Sequence, residues 1–408
     1  MSDRSAEREL AVEREQQHHF QTYGRQPLVL DRGENEFVWD VDGRRYVDAL
    51  GGIAVNVLGH CHPEVTKALQ DQAARLIHVS NLYYTEVQSK LVTRLSALAG
   101  FDRVFLANSG AEAVEGSLKL VRRHAAGKGR GSRILGLEGC FHGRTLATLA
   151  LGAEKYQEGF GPMPEGFLRL PKGDTGALEA ALGDDVAALI VEPIQGEGGI
   201  HEVGADYLQH ARRLCDASGA LLVFDEIQCG NGRTGSMYAW QEYGVKPDVL
   251  ITAKGLGGGV PIGAILADHD VASALGAGDH GTTFGGNPLS SAAALATLEV
   301  LDSEKLPARA ARLGRMARER LEAYAGSSGV VREIRGRGLM IGVDLDPEID
   351  GPGVMNRMRE HGVLANCTAG TVIRLLPPLT IAEDSLAFVL DVLEKAVHEV
   401  RNGVEVDG

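Results

Sequence analysis

The sequence predicts an α/β protein whose core is a mostly parallel sheet covered by helices on both faces. Three observations predict it. First, between about residues 100 and 285, short near-continuous apolar runs alternate with amphipathic stretches. Second, 408 residues at 44% hydrophobic and 24% charged suit a large soluble core. Third, glycine is abundant, at 53 residues, and clustered, which points to backbone brought close to a ligand.

The elements follow in chain order. Residues 1–20 read as a polar, helical arm. Phe37-Val38-Trp39-Asp40 and Tyr46-Val47-Asp48 read as short strands of a small β unit. Pro63 opens a helix carrying Val65, Leu69 and Ala73 at fourfold spacing. The apolar runs are Val104–Leu106, Arg133–Leu137, Ala188–Val191, Leu221–Phe224 and Val249–Thr252. Residues 288–325 are helix-rich, Gly326–Gly329 reads as a break, and 330–408 as an α+β unit. The expected division is an arm and part of a small domain over 1–55, a large domain over 56–290 and the rest of the small domain over 291–408.

Composition removes several function classes. The net charge is −14, the wrong sign for a general nucleic-acid or anionic-membrane binder. No apolar run approaches the roughly 18 residues that span a bilayer. Met1–His19 is too charged to be a signal peptide. Five widely spaced cysteines without a CxxC fit the reducing cytoplasm. Gly230-Asn231-Gly232-Arg233-Thr234-Gly235 matches the dinucleotide pattern GxGxxG, but Asp248 precedes the next strand instead of ending it. His60-Cys61-His62 lacks further ligands at metal-binding spacing and reads as a turn before Pro63. No metal site is expected.

Three segments carry chemistry. Asn108-Ser109-Gly110-Ala111-Glu112 follows a strand and opens a helix with Val114, Leu118 and Val121 on one face. Ser109 and Glu112 have capping-box spacing, and the glycine lets backbone amides converge on an anion. Leu221–Phe224 drives Asp225 and Glu226 onto the end of a buried strand, where a carboxylate must find a partner. Val249–Thr252 ends at Ala253-Lys254, followed by four glycines among five residues. A desolvated lysine is a nucleophile for aldehydes. A phosphate cradle, a strand-end aspartate and a strand-end lysine together meet the needs of pyridoxal phosphate.

These residues, with Gly51–Asn56, Phe141-His142-Gly143-Arg144, Glu192–Gly199, Phe224–Gly230 and His280–Pro288, resemble the class III, fold-type I pyridoxal-phosphate aminotransferases. More narrowly, they resemble the acetylornithine branch. The resemblance runs from Tyr23 to the final helix and implies a homodimer with shared active sites. It implies that Ser109, Gly110 and Ala111 form the phosphate turn, with Ala111 where many relatives carry threonine. Phe141 would stack on the cofactor ring. Asp225 and Gln228 would meet its nitrogen and phenolic oxygen, and Lys254 would condense with its aldehyde. Thr283 would reach the partner's phosphate, with Thr282 near substrate. Arg144 would grip a substrate carboxylate. Glu197 and Arg374 would separate two substrates: Glu197 covers Arg374 for the amino donor and uncovers it for 2-oxoglutarate.

The implied reaction moves the ω-amine of N2-acetylornithine to 2-oxoglutarate. Ornithine aminotransferases tend to carry an aromatic where this chain has Ile53. Alternative donors are ornithine, succinylornithine, 4-aminobutyrate and a carrier-linked amine. An acidic carrier would want a basic patch, for which Arg122, Arg123, Lys128, Arg130 and Arg133 are candidates.

Overall fold

The computed structural model describes residues 2–403. Met1 and residues 404–408, the outer ends of the expected arm and C-terminal unit, lie outside the described residues. A seven-stranded sheet forms the centre, in the order Arg103–Ala107, Gly263–Ala267, Val249–Thr252, Leu221–Asp225, Val186–Val191, Arg133–Leu137, Phe167–Leu170. Six strands run one way, and Gly263–Ala267 runs against both its neighbours. Val186–Val191 is buried along its whole length, as a strand covered on both faces must be. The helix Gly110–Gly127 buries Val114, Leu118 and Val121 against the sheet, as their spacing predicts.

The five apolar runs are all strands. Two further strands lie outside them: Phe167–Leu170 at one edge, and Gly263–Ala267 beside the Ser109 turn. Gly263 must be glycine, because a Cβ there would sit 2.5 Å from the Ser109 carbonyl oxygen.

Both chain ends build smaller sheets. Leu30–Glu34, Phe37–Asp40 and Arg45–Asp48 form a meander, and Val363–Leu364 from the far end of the chain pairs parallel with Arg45–Asp48. Val331–Arg337, Met340–Leu345, Val372–Leu375 and Asn366–Thr368 form an antiparallel sheet. The helix Leu306–Ser328 runs through most of the expected break and stops at Gly329, whose φ of 66° gives a left-handed cap.

Candidate active site

Two adjacent parallel strands deliver Asp225 and Lys254 to the same end of the sheet, as their pairing of Asp225 with Ile251 requires. Asp225 Oδ2 lies 2.7 Å from His142 Nδ1, and its Oδ1 accepts from the Ile227 amide at 3.1 Å. His142 is fully buried and its Nε2 has no partner among the described residues. Burial favours the neutral ring, but Cys140 and Asp225 outweigh it and hold the imidazole well above its ordinary range. Glu192 accepts from the Phe141 amide at 2.8 Å, and burial raises its carboxyl to about 7. Glu226, the second strand-end acid, does the blander job: it caps the helix Ala239–Tyr243 by accepting from Ala239 and Trp240.

Lys254 is half-buried and its backbone is strained, with φ at 45°. Burial pulls its amine down, Arg374 adds to that, and Glu197, Asp225 and Glu192 partly oppose it. Among the described residues it makes no hydrogen bond. Asn231, inside the GxGxxG-like loop, donates to the Ala253 carbonyl at 3.0 Å and so fixes the turn into Lys254. That loop has no dinucleotide geometry: it leads into the short helix Ala239–Tyr243.

Ser109 caps its helix, accepting from Glu112 N at 3.2 Å. The Glu112 carboxylate turns to the Asn108 amide and side chain at 2.9 Å, not to Ser109, so the expected capping box closes one residue upstream. The Gly110 and Ala111 amides find no acceptor among the described residues and face outward from the helix start, ready for an anion. Thr282 Oγ1 accepts from Asn108 at 3.1 Å, while Thr283 is exposed. Arg144 is exposed without an ionic partner among the described residues, its guanidinium 5.4 Å from the Phe141 ring and 4.2 Å from the Tyr156 ring.

Glu197 and Arg374, 177 residues apart, meet at 2.5 Å. Arg374 is 1% exposed and also donates to Gln228 Oε1 at 3.3 Å; Gln228 in turn donates to Glu197 at 3.2 Å. Burial pushes the Glu197 carboxyl up, but Arg374 more than offsets this, and its range ends below the ordinary one. Gly196 leaves room for this cluster, since a Cβ there would lie 2.2 Å from Gln228 Oε1.

The sequence matches the aminotransferase class-III family model over residues 20–397. The chain belongs to the class-III aminotransferases. It is 50% identical over 390 residues to the acetylornithine aminotransferase of Methanothermobacter thermautotrophicus, covering 95% of this chain and 98% of that one. It is 45% identical to that of Agrobacterium fabrum, over 90% of this chain and 92% of the other. Among solved structures, the ornithine aminotransferase of Toxoplasma gondii, which holds pyridoxal phosphate at partial occupancy in its active site, superposes with a TM-score of 0.94 at 38% identity. That match covers 97% of this chain and 95% of the other. The acetylornithine aminotransferase of Elizabethkingia anophelis gives 0.88 at 37%, covering 96% and 99%.

A class-III aminotransferase works with pyridoxal phosphate, and the residues present fit it: a half-buried amine without a hydrogen bond among the described residues, a buried carboxylate on the neighbouring strand and two open helix-start amides. Among the described residues no cluster could hold a metal ion, and no helix is long and apolar enough to cross a membrane.

His142, Glu192 and Asn231 are members of the site that residue types alone did not flag. Each lay inside a motif, but their roles depend on partners 83, 51 and 22 positions away in sequence. Three residues of the candidate basic patch are tied to the fold. Arg122 and Arg130 donate to backbone carbonyls, and Arg133 pairs with Asp185.

Proposed function

We propose that this chain transfers the ω-amino group of N2-acetylornithine to 2-oxoglutarate, giving N-acetylglutamate 5-semialdehyde and glutamate, a step of arginine biosynthesis in the cytoplasm. The observation that carries the two-substrate reading is the buried Glu197–Arg374 contact, a charge pair poised to present or hide a carboxylate subsite. The choice of acetylornithine is supported by relatives of that name at 44–50% identity. It is also supported by Ile53, which stands 38% exposed in a left-handed turn over Gly51–Ala54 and leaves room that an aromatic would fill.

Roles follow from placement. When bound, the cofactor supplies an electron sink for the carbon that loses its proton. Ser109, Gly110 and Ala111 hold its phosphate at the helix start, and Thr283 completes that grip from the partner subunit. Phe141 packs on its ring, Asp225 keeps its ring nitrogen protonated, and Gln228 meets its phenolic oxygen. His142 and its hydrogen bond keep Asp225 aimed. Lys254 anchors the cofactor. The Lys254 amine would also serve as the group that takes a proton from the substrate carbon and returns it as general acid. Arg144, paired with no carboxylate among the described residues, grips that of the substrate, and Thr282 lines the same side. Ala111 brings no hydroxyl to the phosphate.

The assembly proposed is a homodimer. Leu82, Tyr83, Tyr84, Ile77 and Phe284 are exposed apolar side chains on segments flanking Thr283, and such a surface is buried by a second copy.

The test is a donor panel with 2-oxoglutarate, read as glutamate formed: acetylornithine, succinylornithine, ornithine, 4-aminobutyrate and a carrier-linked amine. Acetylornithine should give the highest kcat/KM. Preference for ornithine or a carrier-linked donor would overturn the assignment.

A further inference from the structure

The short strand Asn366–Thr368 touches both halves of the Glu197–Arg374 pair. Its register against Val372–Leu375 sets Asn366 opposite Arg374 and Thr368 opposite Val372. Asn366 Oδ1 accepts from Arg374 Nε at 2.9 Å. Thr368 Oγ1 donates to the backbone carbonyl of Glu197 at 2.8 Å. Two residues along, Arg335 donates to the Gly199 carbonyl at 3.0 Å, so the loop under Glu197 is tied down twice.

Arg374 has five N–H groups. Asn366 takes Nε, Glu197 and Gln228 share Nη1, and among the described residues nothing takes Nη2. Among the described residues Glu197 is the one charged partner of Arg374. When its side chain leaves, an arginine held by that contact alone would lose its orientation. Asn366 prevents this without neutralising the charge and without occupying the Nη1–Nη2 edge, which is the edge a carboxylate grips with two parallel bonds. Thr368 acts on the other member: it holds the Glu197 backbone and leaves the side chain free to turn.

We propose that Asn366 and Thr368 are positioning residues of a carboxylate gate. Asn366 keeps the Arg374 fork aimed while Glu197 is away, and Thr368 fixes the pivot from which Glu197 opens and closes. The inference rests on reading the Glu197–Arg374 pair as the selector between the two substrates. It adds the frame that lets one arginine be covered for one substrate and geometrically ready for the next.

The experiment uses the holoenzyme and the variants Asn366→Ala, Asn366→Asp, Thr368→Val, Thr368→Ser and Arg374→Ala. Two quantities are read: single-turnover constants of each half-reaction, and calorimetric binding of glutarate, a dicarboxylate without a keto group. Asn366→Ala should raise the glutarate Kd and the KM for 2-oxoglutarate about ten-fold or more, the loss expected for a hydrogen bond to a charged group. Its acetylornithine half-reaction should stay within about two-fold of wild type. Asn366→Asp puts a carboxylate on Arg374 that cannot leave, and should abolish glutarate binding while sparing the donor half-reaction. Thr368→Val should weaken 2-oxoglutarate use, and Thr368→Ser should restore it. If Asn366→Ala leaves glutarate binding unchanged while Arg374→Ala loses it, the frame is refuted and the selector reading stands. If Asn366→Ala slows both half-reactions equally, its role is merely structural and the proposal is overturned. If Arg374→Ala itself keeps normal glutarate affinity, the selector reading fails and the frame falls with it.

Discussion

Removing the Glu197 carboxylate isolates a charge that the fold has already buried. Arg374 is 1% exposed, and in Glu197→Ala its remaining partners are the neutral side chains of Gln228 and Asn366. Opposite charges with centres about 4 Å apart interact by about 4 kcal/mol at an effective dielectric of about 20. Glu197 is 32% exposed, so solvent screening cuts the figure to about 2 kcal/mol. In wild type, a carboxylate entering the subsite must displace Glu197 and forgo that attraction. In the variant it meets an unpaired guanidinium. Glutamate should therefore gain about thirty-fold against acetylornithine as amino donor. The assay is single-turnover amino transfer from each donor, followed by the cofactor absorbance. An unchanged ratio of the two donors, or equal slowing of both half-reactions, would refute the argument.

Three more perturbations follow from the geometry. Asp225→Asn should retain cofactor yet lose about a hundred-fold or more in turnover, because an amide cannot sustain a protonated ring nitrogen; stopped-flow rates near wild type would contradict this. Gly196→Ala should displace Gln228, whose Oε1 lies 2.2 Å from the new Cβ, and lower kcat about ten-fold. Its thermal midpoint should change little, because the obstacle is the end of a flexible side chain. Burial raises Glu226 to about 8 from 4.5, so the folded chain keeps a proton that the unfolded chain has lost. Its contribution to stability is present at low pH and fades as pH rises towards about 8, by about 1.4 kcal/mol per unit. Thermal midpoints between about pH 5 and about pH 8 should therefore fall more steeply in wild type than in Glu226→Gln.

The parallel core was legible because its strands are buried on both faces and read as unbroken apolar runs, Val186–Val191 most clearly. Gly263–Ala267 escaped notice: it is five small or branched residues close behind a glycine cluster, with no period of its own. Asp225 and Lys254 were legible for the opposite reason, as charged residues ending apolar strands. The outcome separated two adjacent acids that the sequence treated alike. Asp225 faces His142, whereas Glu226 caps a helix. Which way each pointed depended on strand alternation and on Ala239, 13 residues further on. The contact of Glu197 with Arg374 lay beyond any spacing argument, because it is made between the turn of one hairpin and the interior strand of another sheet. Asn366 and Thr368 were silent for the same reason: polar residues in a three-residue strand carry no pattern until the strand's neighbours are known.

The most direct test is borohydride labelling with peptide mapping. Resting enzyme treated with borohydride should carry the cofactor covalently on Lys254. Incubation with acetylornithine alone should abolish the label, because the amino group then resides on the cofactor and Lys254 is free. Subsequent addition of 2-oxoglutarate should restore it. A label on Lys119 or Lys172, or a Lys254 label that acetylornithine leaves untouched, would contradict both the site and the reaction assigned to it.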